Sequence, residues 1–235
     1  MDTDHSTLYI IPARGGSKGI PRKNIRPLAG RPLIHYSIDV ARALAPDSHI
    51  ILSTDSQEIA DVARLTGLPV DYMRPAELAT DTAGSREVIL DAMDFADRKG
   101  IVYDRVCLLQ PTSPLRTVDD VVACLKAYSP EIDMAVSVVE TDANPYYNCF
   151  ETDPDTGFLH ISKGDGLYVR RQDAPPAWQF SGSVYVINPK SIRRMALGAM
   201  PARVGVPTDP SHCVDLDTPL DWELAETIIR HSKNS

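Results

Sequence analysis

The densest run of residues able to do chemistry lies between Pro12 and Asn24, which holds Arg14, Gly15, Gly16, Ser17, Lys18, Gly19 and Lys23. Glycines let a backbone approach a ligand closely and aim successive N–H groups at it. Arg and Lys add fixed positive charge where phosphate oxygens would lie. The spacing is not that of a Walker A loop, and it lacks the G-x-G of a dinucleotide fold. No Asp or Glu occurs from His5 through Ile38, whereas that stretch carries Arg14, Lys18, Arg22, Lys23, Arg26 and Arg31. Cations without a countercharge repel one another unless an anion joins them. The segment therefore reads as an anion cradle, against the alternative of a solvated basic turn.

Val214 to Asp221 supplies the opposite charge. If Val214 to Asp217 is extended, Asp215 and Asp217 point the same way, and two carboxylates on one face suit a hard cation such as Mg²⁺. Asp217-Thr-Pro also has the makings of a helix start. Both hold if Asp217 ligates metal while Thr218 caps the helix. Gln110 to Arg116 follows an apolar run, and ligands of open α/β sheets bind beyond the carboxyl ends of strands. Gln110, Thr112, Ser113 and Arg116 are therefore candidates to contact sugar hydroxyls or a carboxylate, unless the segment is only a Pro-rich connection. Arg74 to Thr82 is a second polar loop in a comparable place.

Those segments need a scaffold, and 235 residues can bury one substantial core. Leu8 to Ile11, His49 to Ser53 and Arg105 to Leu109 are short apolar runs that suit buried parallel strands; Pro69 to Met73 and Asp133 to Val138 add two more. A helix is expected from near Pro32, at its N1 position, and Asp55-x-x-Glu58 resembles a capping box for the next. Gly84 to Lys99 reads as a third. Thr117 is expected to cap a fourth, with Val118, Val121, Val122 and Leu125 on its buried face. A last helix spans Pro219 to His231, with Leu224, Ala225, Ile228 and Ile229 along one side. This alternation predicts a mostly parallel sheet with helices on both faces. From Asn144 to Gln179 the pattern breaks into an antiparallel excursion around the turn Asp153 to Gly157, and the core pattern resumes at Ser183 to Ile187. The whole of 1–235 reads as one domain carrying this arm at 144–179.

Composition narrows the function. A net charge of −8 argues against a general nucleic-acid binder. A local basic patch on an acidic chain suits a compact anionic ligand. Cys107, Cys124, Cys149 and Cys213 form no C-x-x-C pair and read as buried thiols. No signal-peptide pattern or membrane-length apolar run is present, so a cytoplasmic protein is expected.

The ordered set Arg14-x-x-Ser-Lys-Gly-x-Pro-x-Lys-Asn24, Ser53-Thr-Asp55, Arg74-Pro-Ala-Glu-Leu-Ala-x-Asp-Thr82, Leu109-Gln-Pro-Thr-Ser-Pro-Leu-Arg116 and Asp215-x-Asp-Thr218 spans nearly the whole chain. It resembles the acylneuraminate cytidylyltransferase family, the CMP-sialic acid synthetases. The resemblance implies a three-layer α/β/α, Rossmann-like nucleotide-diphospho-sugar transferase fold, with a small inserted antiparallel dimerisation arm. It implies CTP and an acidic nine-carbon sugar as substrates, giving CMP-sugar and pyrophosphate. Arg14, Gly15, Gly16, Ser17, Lys18, Lys23 and Asn24 would hold the nucleotide with Arg74 and Ser85. Asp215 and Asp217 would bind Mg²⁺, with Asp217 also a candidate general base beside Arg14, Lys18 and Lys23. Gln110, Thr112, Ser113, Arg116, Arg171 and Tyr185 would face the sugar. A homodimer follows, its arm reaching into the partner's site.

The chain departs from the bacterial sialic-acid pattern Arg-Pro-Asn-Gly-Ala-x-Tyr at Gln179-Phe-Ser-Gly-Ser-Val-Tyr185. A lysine expected to join Arg171 on the sugar carboxylate is also replaced, near Tyr147, with Lys163 a possible substitute. N-Acylneuraminate is the first expectation for the acceptor. Legionaminic, pseudaminic, 2-keto-3-deoxynonulosonic and 3-deoxy-octulosonic acids keep the same chemistry. A nucleotide-binding regulator without turnover is the reading from a different class.

Overall fold

The computed structural model describes residues 6–17, 19–80 and 82–232. In chain order its strands are β1 (Thr7–Pro12), β2 (Pro27–Leu28), β3 (Arg31–Pro32), β4 (Ile50–Ser53), β5 (Arg105–Leu109), β6 (Met134–Glu140), β7 (Phe150–Thr152), β8 (Leu159–Ile161), β9 (Trp178–Ile187) and β10 (Arg203–Pro207). The α-helices are α1 (Leu33–Arg42), α2 (Gln57–Arg64), α3 (Ser85–Arg98), α4 (Val118–Ala127), α5 (Pro189–Arg194) and α6 (Pro219–Ser232). Six strands form the central sheet in the order β10-β6-β9-β5-β1-β4. The pairs β1–β4, β1–β5 and β10–β6 are parallel, and β9 alone runs antiparallel, between β5 and β6.

The period of two in β1 explains the three layers. Tyr9 and Ile11 face Ile34, Ile38, Ile59 and Val121 of α1, α2 and α4, while Leu8 and Ile10 face Ile89, Met93 and Ile192 of α3 and α5. A strand covered on both faces must be apolar throughout. Each Leu or Ile buried this way contributes about 1.5–3 kcal/mol by removal from water. A third cluster of Ile20, Leu28, Leu33, Leu216, Trp222 and Ala225 joins the glycine-rich loop, the β2–β3 hairpin and α6. That small core fixes the loop relative to the Asp pair.

Several elements differ from the sequence expectation. Residues 69–73 join no sheet, although Leu68, Val70, Tyr72 and Arg74 are alternately buried. The alternation reports side chains packing beneath an edge, while the backbone is held by Arg64, which donates to Val70 O at 2.8 Å, and by Arg74 N–H on Thr54 O at 2.8 Å. Helix α2 is capped by Ser56, whose Oγ accepts from Ile59 N–H, and not by Asp55. Pro32 stands at the N-cap of α1, one residue before N1. In α6, Trp222 and Ala225 are buried and Leu224 is exposed. Strand β10 escapes notice in the sequence because its residues lie mostly exposed at the sheet edge. Thr117 does cap α4, in a reciprocal box with Asp120. Residues Asp153 to Gly157 do form the turn between β7 and β8, with Asp153 Oδ1 accepting from the Asp155 and Thr156 N–H groups.

Candidate active site

The ladder of β1 ends with Ala13 N–H on Ser53 O at 2.8 Å, so the chain leaves the sheet at Arg14. The glycine-rich loop that follows is pinned at both ends. Gly15 N–H donates to Asp55 Oδ1 at 2.8 Å, and the Asn24 side chain donates to Arg14 O at 3.0 Å. Gly16 sits at φ +67°, a conformation that favours glycine. Lys23 is largely enclosed; its Nζ lies 2.6 Å from Leu216 O and 3.3 Å from Asp217 Oδ1. A Cβ placed on Gly19 would stand 2.4 Å from Asp217 O, so the loop and the Asp segment touch backbone to backbone.

The basic patch is less bare than the sequence suggests. Arg22 pairs with Glu58, Arg31 with Asp39, and Arg26 stacks over the Trp222 ring at 4.8 Å. The Arg22 countercharge comes from α2, 36 residues on, and the Arg31 countercharge from the adjoining α1. Arg14, by contrast, lines a cleft of about 480 Å³ with Ser17, Gly19, Lys23, Asn24, Arg74, Ser85, Gln110, Thr112 and Asp217. Arg74 is buried, its guanidinium donating to Ser53 Oγ at 3.0 Å and Ser53 O at 2.7 Å. Burial lowers its pKa, and nearby Arg14 lowers it further against the opposing effect of Asp55. Two arginines close enough to repel across a cleft make a favourable seat for an anion. Gly15 and Gly16 face a smaller hollow of about 240 Å³ on the loop's other side.

At the other end stand the two aspartates. Asp217 N–H donates to Asp215 O at 3.2 Å, so this segment turns where an extended run was expected. The carboxylates remain near each other. Asp215 is raised above the ordinary carboxylate pKa by desolvation; Asp217 adds to the rise, while hydrogen bonding from Thr112 and the charge of Lys23 oppose it. Thr218 caps α6, its N–H and hydroxyl both donating to Asp221 Oδ2, at 2.6 and 2.8 Å, and its oxygen accepting from Asp221 N–H. That leaves the Asp217 side chain exposed to the cleft. Gly182 has φ +75°, and a Cβ placed on it would lie 3.7 Å from Asp215 Oδ2 and 3.8 Å from Ser113 Oγ.

No cluster of three or more His, Cys, Asp or Glu side chains able to hold a metal occurs among the described residues. Mg²⁺ commonly takes one or two carboxylates and completes its shell with substrate phosphates and water. The pair Asp215 and Asp217, beside an anion-binding cleft, fits that kind of ion and not a pre-built cage.

A family model described as cytidylyltransferase matches residues 8–221, from β1 to the Asp that closes the α6 cap. This chain belongs to the cytidylyltransferase family. It is 32% identical to the CMP-N,N'-diacetyllegionaminic acid synthase of Legionella pneumophila, over 94% of this chain and 95% of that protein. It is 35% identical to the N-acylneuraminate cytidylyltransferase of Streptococcus agalactiae, over 80% of this chain and 44% of that one. The solved structure of CMP:2-keto-3-deoxy-manno-octonic acid synthetase complexed with CTP matches with a TM-score of 0.69 at 17% identity, covering 97% of this chain and 99% of that chain. That last likeness shows the shared fold.

Lys18 lies outside the described residues. Arg116 does not face the cleft: it is buried and donates to Gln110 O, Ser183 O and Ser37 Oγ at 3.1, 2.8 and 2.6 Å. Full desolvation pushes its pKa down to about 10. It ties the end of β5 to β9 and α1, and so positions Gln110 instead of touching a ligand. Ser113 is also enclosed, with no hydrogen-bond partner for its hydroxyl among the described residues. Tyr185 stands behind Gln110, whose side chain opposes the rise that burial imposes on the Tyr185 hydroxyl. Arg171 does not line the cleft within the chain; it pairs with Asp142 at the base of the arm. Lys163 lies over the Tyr146 ring, 5.0 Å from its centre.

Asp55 and Ser53 were underread in the sequence. One holds the loop through Gly15 and the other holds Arg74, so Ser53-Thr-Asp55 works as the cleft's bracing. Their place at the end of a strand was the available signal. Gly182 had none, since a positive φ inside a strand is not legible in residue type alone.

Proposed function

We propose that this cytidylyltransferase transfers CMP from CTP to the anomeric hydroxyl of a nonulosonic acid, releasing pyrophosphate. The carrying observation is that one cleft gathers Arg14, Ser17, Lys23, Arg74, Ser85, Gln110, Thr112 and Asp217. Arg14, Lys23 and the loop backbone bind and orient the triphosphate. Gln110, backed by Tyr185, orients the sugar so that its anomeric oxygen meets the α-phosphorus in line with the departing pyrophosphate. Positioning and charge neutralisation supply most of the rate in such transfers. Asp215 and Asp217 would hold Mg²⁺, which when bound neutralises charge on the phosphate oxygens.

The attacking oxygen must lose its proton as the new P–O bond forms and the bond to pyrophosphate breaks. Of the two carboxylates, Asp217 is the one exposed to the cleft, and it takes that proton in this reading, while Asp215 stays enclosed beside Thr112.

A homodimer is part of the proposal. The arm exposes Phe158, Leu159, Leu167 and Val169, each at least 68% accessible in the single chain. Apolar groups so concentrated on one excursion call for a covering partner, and a second copy is the one the family resemblance implies. Among the described residues no helix is long and apolar enough to cross a membrane.

The deciding assay is pyrophosphate release with CTP, Mg²⁺ and a panel of nonulosonic acids. Turnover with at least one acid is expected, and no release with any of them would defeat the assignment. Sedimentation of the same preparation should report twice the chain mass of 25.8 kDa.

A further inference from the structure

Strand β9 contains an irregularity that shapes the sugar end of the cleft. Tyr185 pairs with Val136 of β6, yet two residues along β6, Val138 pairs with Phe180. Residues 181–184 are therefore looped out opposite Ser137 alone. A buried serine network closes the bulge: Ser137 Oγ lies 2.6 Å from Ser181 Oγ and accepts from Val184 N–H at 3.0 Å. Bulges of this kind re-aim side chains beside functional sites.

Two things are re-aimed. The apex Gly182 is turned onto Asp215, and Phe180, five residues before Tyr185, becomes its neighbour. Their rings meet edge to face with centres 6.0 Å apart. Tyr185 itself pairs with Leu108 of β5, a cleft-lining residue, and touches Gln110. Leu108, Gln110, Tyr185 and Phe180 thus continue one wall outward from the cleft. Beyond Val184, towards Trp178, β9 has no β5 neighbour, because β5 ends at Leu109. The Phe180 ring is 39% exposed there.

We propose that Phe180 is a specificity-determining residue that receives the far end of the acceptor. Its chemistry favours nonulosonic acids ending in a methyl group and bearing an N-acyl group on the side chain, as in di-N-acylated 9-deoxy acids, over acids ending in a polyhydroxyl tail. An aromatic ring offers apolar area and no hydrogen-bond partner, so hydroxyls placed against it lose water without replacement. The inference rests on the acceptor class proposed above.

The test compares the unaltered chain with Phe180→Ala and Phe180→Leu in pyrophosphate release. The two acceptors are N,N'-diacetyllegionaminic acid and N-acetylneuraminic acid, each with saturating CTP and Mg²⁺. One apolar contact is worth about 10- to 200-fold in kcat/KM. Phe180→Ala should raise KM for the di-N-acetyl acid about 10-fold and shrink its preference over N-acetylneuraminic acid by the same factor. KM for CTP should shift less than about twofold on this scale, and Leu should restore part of the preference. An equal loss with both acceptors, or loss of the dimer in sedimentation with an unchanged preference, would overturn the role of Phe180. Absence of turnover by the unaltered chain with both acids and the wider panel would instead overturn the acceptor class.

Discussion

The two ends of the cleft are built on different principles. The loop end is braced by short-range geometry on a rigid frame: Asp55 on Gly15, Asn24 on Arg14, Ser53 on Arg74, and Lys23 against Leu216. The sugar end is assembled from one bulged strand and the Gln110 loop that an enclosed arginine holds in place. A triphosphate presents the same oxygens to every member of such a family, so its seat can be rigid and contiguous. An acceptor that varies is better met by side chains on a bulge, where a single replacement changes shape without disturbing the sheet.

The sharpest way to break this contrast is at the point where both ends meet. Asp217→Asn removes a charge that pairs with Lys23 and, by our reading, would hold the metal. Turnover is expected to fall about 10³-fold while the far-ultraviolet dichroism is unchanged. Activity within a few-fold of the parent chain would remove Asp217 from the site.

Gly19→Ala comes next. The new Cβ has no space beside Asp217 O, so the two loops must separate. A displacement near 1 Å costs about 10²-fold in rate, which single-turnover kinetics would show as slower chemistry with the melting temperature held. If the rate stays put, the loop is softer than the contact implies.

Ser181→Ala probes the other end. It strands part of the Ser137 network inside the bulge, at about 1–3 kcal/mol of stability, readable in urea denaturation. Acceptor KM should rise more than CTP KM; the reverse ordering would mean that the bulge serves the nucleotide.

The smallest effect concerns pH. In the metal-free chain Asp215 binds its proton more tightly than in the unfolded state, because burial raises its pKa. The folded state therefore carries more protons between the ordinary and the raised pKa, and stability falls as pH climbs through that window. Asp215→Asn should flatten this slope in melting curves taken without Mg²⁺, and an unaltered slope would assign the titration elsewhere.

Much of the cleft was readable in advance where its parts are contiguous in sequence. Residues 14–24 and 110–116 each leave a strand of the sheet, and the position after a strand is itself the signal. Asp55 was misread as a helix cap because capping and loop-bracing call for the same short acidic side chain. Only its partner, 40 residues away, separates the two. Arg116 failed for the converse reason: a guanidinium in a polar motif reads as ligand-facing until its two terminal nitrogens are seen to be committed. The sugar end was least legible. A bulge depends on which residues of two distant strands pair, and Ser137 and Ser181 carry no mark of that in sequence.

The contact between Gly19 and Asp217 O has an evolutionary consequence. Position 19 is a clearance, set by what lies opposite it. Among relatives, drift at this glycine should track changes in the backbone around Asp217, and it should be indifferent to which sugar each enzyme activates. The glycine and the distant aspartate form a matched pair of surfaces.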